Sequence, residues 1–244
     1  MGNITPIVKN LIIINVLCWL ATIVLPKVDI DLINLFGLHY WKASDFNLVQ
    51  MVSYMFLHSV NSISHLFFNM FALFMFGQSL EHVLGQKRFL IYYMVTGIGA
   101  GLIQELTWTL ELQSVTEEIS AIAASGIPGG VRVSDTEVIY SIDELFKWQN
   151  EVLFNRYITV GASGAVYGLL LAFGMIFPNQ PMYILFIPFP IKAKYIVIGY
   201  GILELLMGFG NFSFDNVAHF AHLGGMIFGF LLLVYWRKKG LRQF

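Results

Sequence analysis

The stretch GASGAVYGLLLAFGMIF, Gly161 to Phe177, carries no charged side chain and is bounded by Asn155-Arg156 before it and Pro178-Asn179-Gln180 after it. It reads as an apolar helix, short against the ~20 residues that cross a bilayer, and a serine stands near its start. A helix end that stops short of the membrane surface is tolerable only where protein or a water-filled cavity surrounds it. This one segment therefore asks for a bundle of other membrane helices around it.

The rest of the chain supplies them. Of the 244 residues, 57% are hydrophobic and 12% charged, against roughly 25% charged in a soluble domain. Apolar runs recur at about Ile7 to Leu25, Ser53 to Leu84, Phe89 to Leu110, Gly161 to Phe177, Tyr195 to Phe209 and Val217 to Trp236. The second has a polar lead-in at Leu57 to Ser64 that can belong to a preceding loop. The fold expected is an all-α, polytopic membrane bundle of six transmembrane helices forming a single domain over residues 1–244. With six alternating spans, Lys9, Lys87, Arg88, Lys192, Lys194, Arg237, Lys238, Lys239 and Arg242 share one side, nine of the 14 basic residues. Lysine and arginine favour the cytoplasmic face, so both termini are expected there.

Composition also excludes. A net charge of -1 without an extended basic block leaves no footprint for nucleic acid. The single cysteine, Cys18, has no partner for a disulfide or a metal cluster, and no cofactor or metal is expected. The first run is followed by Pro26-Lys27-Val28 rather than a small-residue cleavage site, so it is read as a helix and not a signal peptide.

Between the third and fourth runs lies a polar insertion, residues 111–157, interrupted at Ser125-Gly126-Ile127-Pro128-Gly129-Gly130. Ser134-Asp135-Thr136-Glu137 has the form of a capping box, and Val138, Ile142, Leu145 and Val152 follow at near-helical spacing. An amphipathic helix on the outer membrane surface is expected, either packed there or acting as a lid or docking element.

Three groups of residues carry chemistry. Ser163 stands among Gly161, Gly164 and Gly168, where its hydroxyl could act as a nucleophile beside the free N–H groups of a helix start. The same glycines could instead serve close helix packing. His222 lies in Ala221-His222-Leu223-Gly224-Gly225-Met226-Ile227-Phe228-Gly229, where Gly225 and Gly229 would allow a neighbouring helix to approach. An ionisable group at that depth must face protein or water; His219 is its rival. His65 and Asn69, four apart, share a helix face and could both donate to an oxyanion or simply bind two helices together. His58 could serve as such glue too.

Together these segments resemble the rhomboid family of intramembrane serine proteases, through His65-x-x-x-Asn69, Gly161-x-Ser163-Gly164 and Ala221-His222-x-x-Gly225-x-x-x-Gly229 on the second, fourth and sixth runs. The resemblance implies that Ser163 is the nucleophile and His222 its general base, without an acidic third member, and that Tyr167 stacks on the histidine. It also implies an oxyanion site of His65, Asn69 and the Ser163 N–H, and a structural role for Glu81. The sequence agrees in having no carboxylate within one turn of His222. The partners implied are the lipid bilayer and single-pass or multi-pass membrane proteins as substrates, in a bacterial-type cytoplasmic membrane. The long insertion departs from the short connection of compact members. A catalytically inactive rhomboid-like binder is the nearest alternative, although both Ser163 and His222 are retained. A small transporter is the other, prompted by Glu204 inside the fifth run.

Overall fold

The computed structural model describes residues 4–127, 129–183, 188–210 and 218–240. Val217 at the expected start of the last span, Pro128 in the insertion and Arg242 in the terminal basic group lie outside them. The first helix, α1 (Pro6–Val24), uses Pro6 where a missing N–H costs nothing. Its N-cap residue, Thr5, makes no side-chain cap. The buried carboxylate of Glu81 takes over, its two oxygens accepting from the N–H groups of Ile7 and Val8 at 3.1 and 3.0 Å. A negative charge there also suits the positive end of the helix dipole. Elsewhere α1 exposes Leu17, Leu20 and Val24, a surface that fits hydrocarbon.

Two short helices follow, α2 (Leu32–Phe36) and α3 (Gln50–Ser53), with a tight turn at Tyr54–Phe56. The second membrane helix, α4 (Ile63–Leu84), begins ten residues later than the Ser53 start in the sequence reading, and Leu57–Ser62 is loop. Only Gly85 separates α4 from α5 (Gln86–Glu111), and its φ of 76° is open to glycine at little cost. More than half of α5's apolar window is buried, making it the central helix of the bundle.

The insertion holds more than the one amphipathic helix expected after Ser134–Glu137. It holds α6 (Gln113–Ser125), which the sequence reading missed, then a hairpin pairing Val131–Arg132 with Val138–Ile139, then α7 (Ile142–Trp148). The expected capping box at Ser134–Glu137 lies in the hairpin turn, where Val133 N–H donates to the Glu137 carbonyl at 3.1 Å. The helix is capped one hairpin strand later, where Ser141 accepts from the N–H of Glu144 at 3.2 Å. Ile119, Ile139 and Leu145 close a small core of their own.

The end of the insertion is tied to the first loop. Leu38–His39 pairs antiparallel with Ile158–Thr159, and Asn155 Nδ2 donates to Ser44 Oγ at 2.9 Å. These bonds hold the chain just before α8 (Ser163–Ile176), which is followed by α9 (Ala193–Gly210) and α10 (His219–Lys238). The architecture is an all-α membrane bundle; the strands among the described residues are three pairs of two residues.

Five of the described helices are long and apolar enough to cross a membrane: α1 with the turn that continues it, α4, α5, α9 and α10. The expected fourth span, α8, has 14 residues, or about 21 Å at the usual helical rise, less than the ~30 Å hydrocarbon core. It is packed among α4, α5, α9 and α10. Its ends therefore meet protein instead of lipid, as the membrane requires of exposed backbone groups.

Candidate functional site

The site starts with the turn into α8. Gly161 has φ 137°, a conformation L side chains rarely adopt, and its N–H donates to the Tyr54 carbonyl at 2.9 Å. A Cβ here would lie 2.9 Å from His65 Nε2 and 3.7 Å from Ser163 Oγ. Glycine thus lets the His65 ring, from α4, come up beside the serine. Ser163 is the first residue of α8, where backbone N–H groups lack partners inside the helix.

His222 reaches Ser163 from α10. Its Nε2 stands 2.8 Å from Ser163 Oγ across 59 residues of chain. Glycines permit the approach: a Cβ on Gly225 would sit 1.9 Å from the Gly164 carbonyl oxygen, and one on Gly164 2.3 Å from Ala100 Cβ of α5. Gly229, one turn on, leaves room for the Tyr92 hydroxyl, which donates to the Gly168 carbonyl at 2.8 Å. Backbone thus packs on backbone along α8 and α10, and the two side chains meet at the end of that seam.

The imidazole is held on its face as well. Tyr167, one turn after Ser163, stacks on His222 with centroids 4.2 Å apart and planes 7° from parallel. At Nδ1, the ring nitrogen not in contact with Ser163, stands a carboxylate that the sequence pattern around this histidine does not indicate. Glu204 of α9, only 4% exposed, brings Oε2 to 3.0 Å from His222 Nδ1 and 2.6 Å from His219 Nδ1. Its Oε1 accepts from the Tyr167 hydroxyl. The Nδ1 contact of His222 is within ion-pair distance, but it is not aligned well enough to count as a hydrogen bond. Glu204 is 18 positions upstream on another helix, outside the single turn around His222 within which sequence spacing pairs side chains. The usable signal was that an acid inside a span must face a partner.

The second group sits on α4. His65 Nδ1 accepts from the N–H of Ser59 at 3.4 Å. A neutral imidazole has one donor and one acceptor nitrogen, so Nε2 is left as the donor, on the side toward Gly161 and Ser163. Asn69 Nδ2 spends one hydrogen on the His65 carbonyl at 2.8 Å and keeps a second. His58 packs its ring edge against His65 at 5.1 Å. It lies in the loop before α4 and is fully buried; burial first, then the neighbouring His65, pushes its pKa down to about 3.

Chemically, an imidazole 2.8 Å from a serine hydroxyl can accept its proton, and N–H donors beside that hydroxyl can receive a developing negative oxygen. Glu204, His219 and His222 also place three ligand atoms within 4.8 Å of one another, a donor set that zinc accepts. A cation there would compete with the contacts Glu204 already makes.

Comparisons with known proteins identify the family of the chain. A family model described as the rhomboid domain matches residues 45–239, which contain α4 through α10 and every side chain of the site. The chain is also similar to "Putative rhomboid protease YdcA" of Bacillus subtilis (strain 168), with 26% identity over 197 residues, 80% of this chain and 70% of the relative.

Proposed function

The chain belongs to the rhomboid family, and on that premise we propose that it is an intramembrane serine endopeptidase that cuts membrane proteins through a covalent acyl-enzyme. The observation that carries the reading is the 2.8 Å contact between Ser163 Oγ and His222 Nε2, made by residues from two helices inside an apolar bundle. A structural role alone would not need a hydroxyl and an imidazole at that distance beside free helix N–H groups.

In this reading His222 Nε2 takes the hydroxyl proton as Ser163 Oγ attacks the scissile carbonyl. The oxygen, now an anion, is held by the Nε2–H of His65, the remaining Asn69 hydrogen and the Ser163 N–H. The tetrahedral species collapses, and the C–N bond breaks as His222 gives its proton to the leaving amine. Water, deprotonated by His222, then cleaves the ester and frees Ser163. Binding and orientation do the rest, with no cofactor required.

The same proposal places α8 as the short span among six, its start recessed beneath the outer surface. That recess gives water and an unwound substrate segment access to Ser163. Residues 111–157 then lie on the extracytoplasmic side, both termini in the cytoplasm, and the whole chain is one domain in a bacterial cytoplasmic membrane. Helix-breaking or small residues near the cut bond favour cleavage. The transporter alternative loses its motive, because Glu204 is occupied by Tyr167, His219 and His222.

Labelling with a fluorophosphonate serine-hydrolase probe in detergent tests the proposal. Wild type is expected to label, and Ser163→Ala and His222→Ala are expected not to. Equal labelling without Ser163 would overturn it.

A further inference from the structure

Glu204 stands where the family resemblance implies no acid. The cluster around it comprises its own carboxylate from α9, Tyr167 from α8, and His219 and His222 one turn apart on α10. His65 of α4 lies beyond, on the Gly161 side. A carboxylate 4% exposed inside a bundle is costly unless paired. Here it is paired: the His219 Nδ1 contact of 2.6 Å is the length of a charge-assisted hydrogen bond.

We propose that Glu204 is an acidic positioning residue for the Ser163–His222 pair, turning the expected dyad into a triad whose acid comes from α9 and is steadied by His219. The proposal rests on the protease reading above and specifies the acid that serves the same site.

The argument is one of tautomers. For His222 to accept the serine proton, its Nε2 must present a lone pair, which requires the ring hydrogen on Nδ1. The only acidic oxygen placed at Nδ1 among the described residues is Glu204 Oε2, at 3.0 Å. A carboxylate there favours the Nδ1–H form. It also stabilises the imidazolium that exists after proton transfer, the two tasks of the acid in a serine triad. His219 steadies the carboxylate, its Nδ1 lying 2.6 Å from the same Oε2. As His222 becomes positive during attack, a small rotation of the carboxylate aligns Oε2 with its Nδ1–H. Tyr167 links both supports: its ring stacks on the imidazole and its hydroxyl anchors Oε1, so Glu204 also fixes the stacking partner.

The experiment compares wild type, Glu204→Gln and Ser163→Ala in full-length protein, using a transmembrane peptide substrate in detergent. It reads kcat and KM separately across pH, with the melting temperature beside them. The amide of Glu204→Gln keeps the shape and can still accept from Tyr167, but it lacks the charge. The expected result is a loss in kcat on the order of a hundred-fold, with KM and melting temperature nearly unchanged. This is smaller than the ~10⁴-fold cost of losing the acid in soluble triads, because Tyr167 still holds the ring. The acid limb of the kcat profile should also move to lower pH. An unchanged kcat and acid limb would overturn the triad, as would a higher KM at constant kcat, which would place Glu204 in substrate binding. Should Glu204→Gln fail to fold, Glu204→Asp takes its place. Drawing the charge back by one methylene is expected to cut kcat at least ten-fold at constant KM, and full activity would sink the proposal. Activity persisting in Ser163→Ala would instead sink the protease reading itself, so the two failures are distinct.

Discussion

Replacing Gly225 by alanine puts the seam between α8 and α10 under direct test. The added Cβ would lie 1.9 Å from the Gly164 carbonyl oxygen and 2.8 Å from its carbon, both backbone atoms. Carbon and oxygen need about 3.3 to 3.6 Å between them, so the helices must part by roughly 1.5 Å. His222 is three residues before Gly225, and Gly164 follows Ser163 directly, so the separation is delivered to the 2.8 Å contact. Opening it by about that much takes the pair beyond hydrogen-bond reach, and a misplacement near 1 Å can already cost a hundred-fold in rate. The stability cost should be that of overpacking, about 1 to 3 kcal/mol. Probe-labelling rate and thermal melting in detergent, read together, check both. Gly199→Ala is the control, since a Cβ there meets nothing within 4 Å, and it should label normally. Gly225→Ala labelling at the wild-type rate would refute the claim that this close approach sets the serine–histidine distance.

Three further outcomes are expected. His65→Leu should lower kcat about a hundred-fold or more with little change in KM, as loss of an oxyanion donor does; a change confined to KM would remove His65 from that role. Glu81→Gln leaves one oxygen for two backbone donors and removes the charge at the α1 start, which should cost about 1 to 2 kcal/mol by thermal melting. His58 is neutral in the fold with a pKa near 3 against 6.5 ordinarily, so between those values the unfolded chain binds the extra proton. Stability is full above pH 6.5 and falls as pH drops toward 3, by up to about 1.4 kcal/mol per pH unit. His58→Phe should flatten that slope in melting curves taken from pH 7 to 4, and an unchanged slope would assign the acid sensitivity to other groups.

What could be read from the chain alone rested on short-range rules. Long apolar runs with few charges must be helices in lipid, because no other open segment satisfies its backbone there. Each helix expected as a span is present, five of the six starting within about three residues of the expected position. The four-residue spacing of His65 and Asn69 and the serine at the head of a short apolar helix were equally local. The exceptions were local ambiguities settled by long-range pairing. Ser134–Glu137 and Ser141–Glu144 both have the capping form, and the hairpin between Val131–Arg132 and Val138–Ile139 takes the first as its turn. At the second span, hydropathy could not separate Ser53–Phe56 from the helix that starts at Ile63.

Tertiary structure alone decided which polar groups meet. Nothing in spacing pairs Glu204 with His222, shows that Ser59 occupies His65 Nδ1, or sends the Glu81 carboxylate to the start of α1. Periodicity tells which face of a helix is apolar, but not which neighbour that face adopts. In a bilayer, where lipid and leucine are equally apolar, the choice falls to close glycine contacts and buried hydrogen bonds between distant segments.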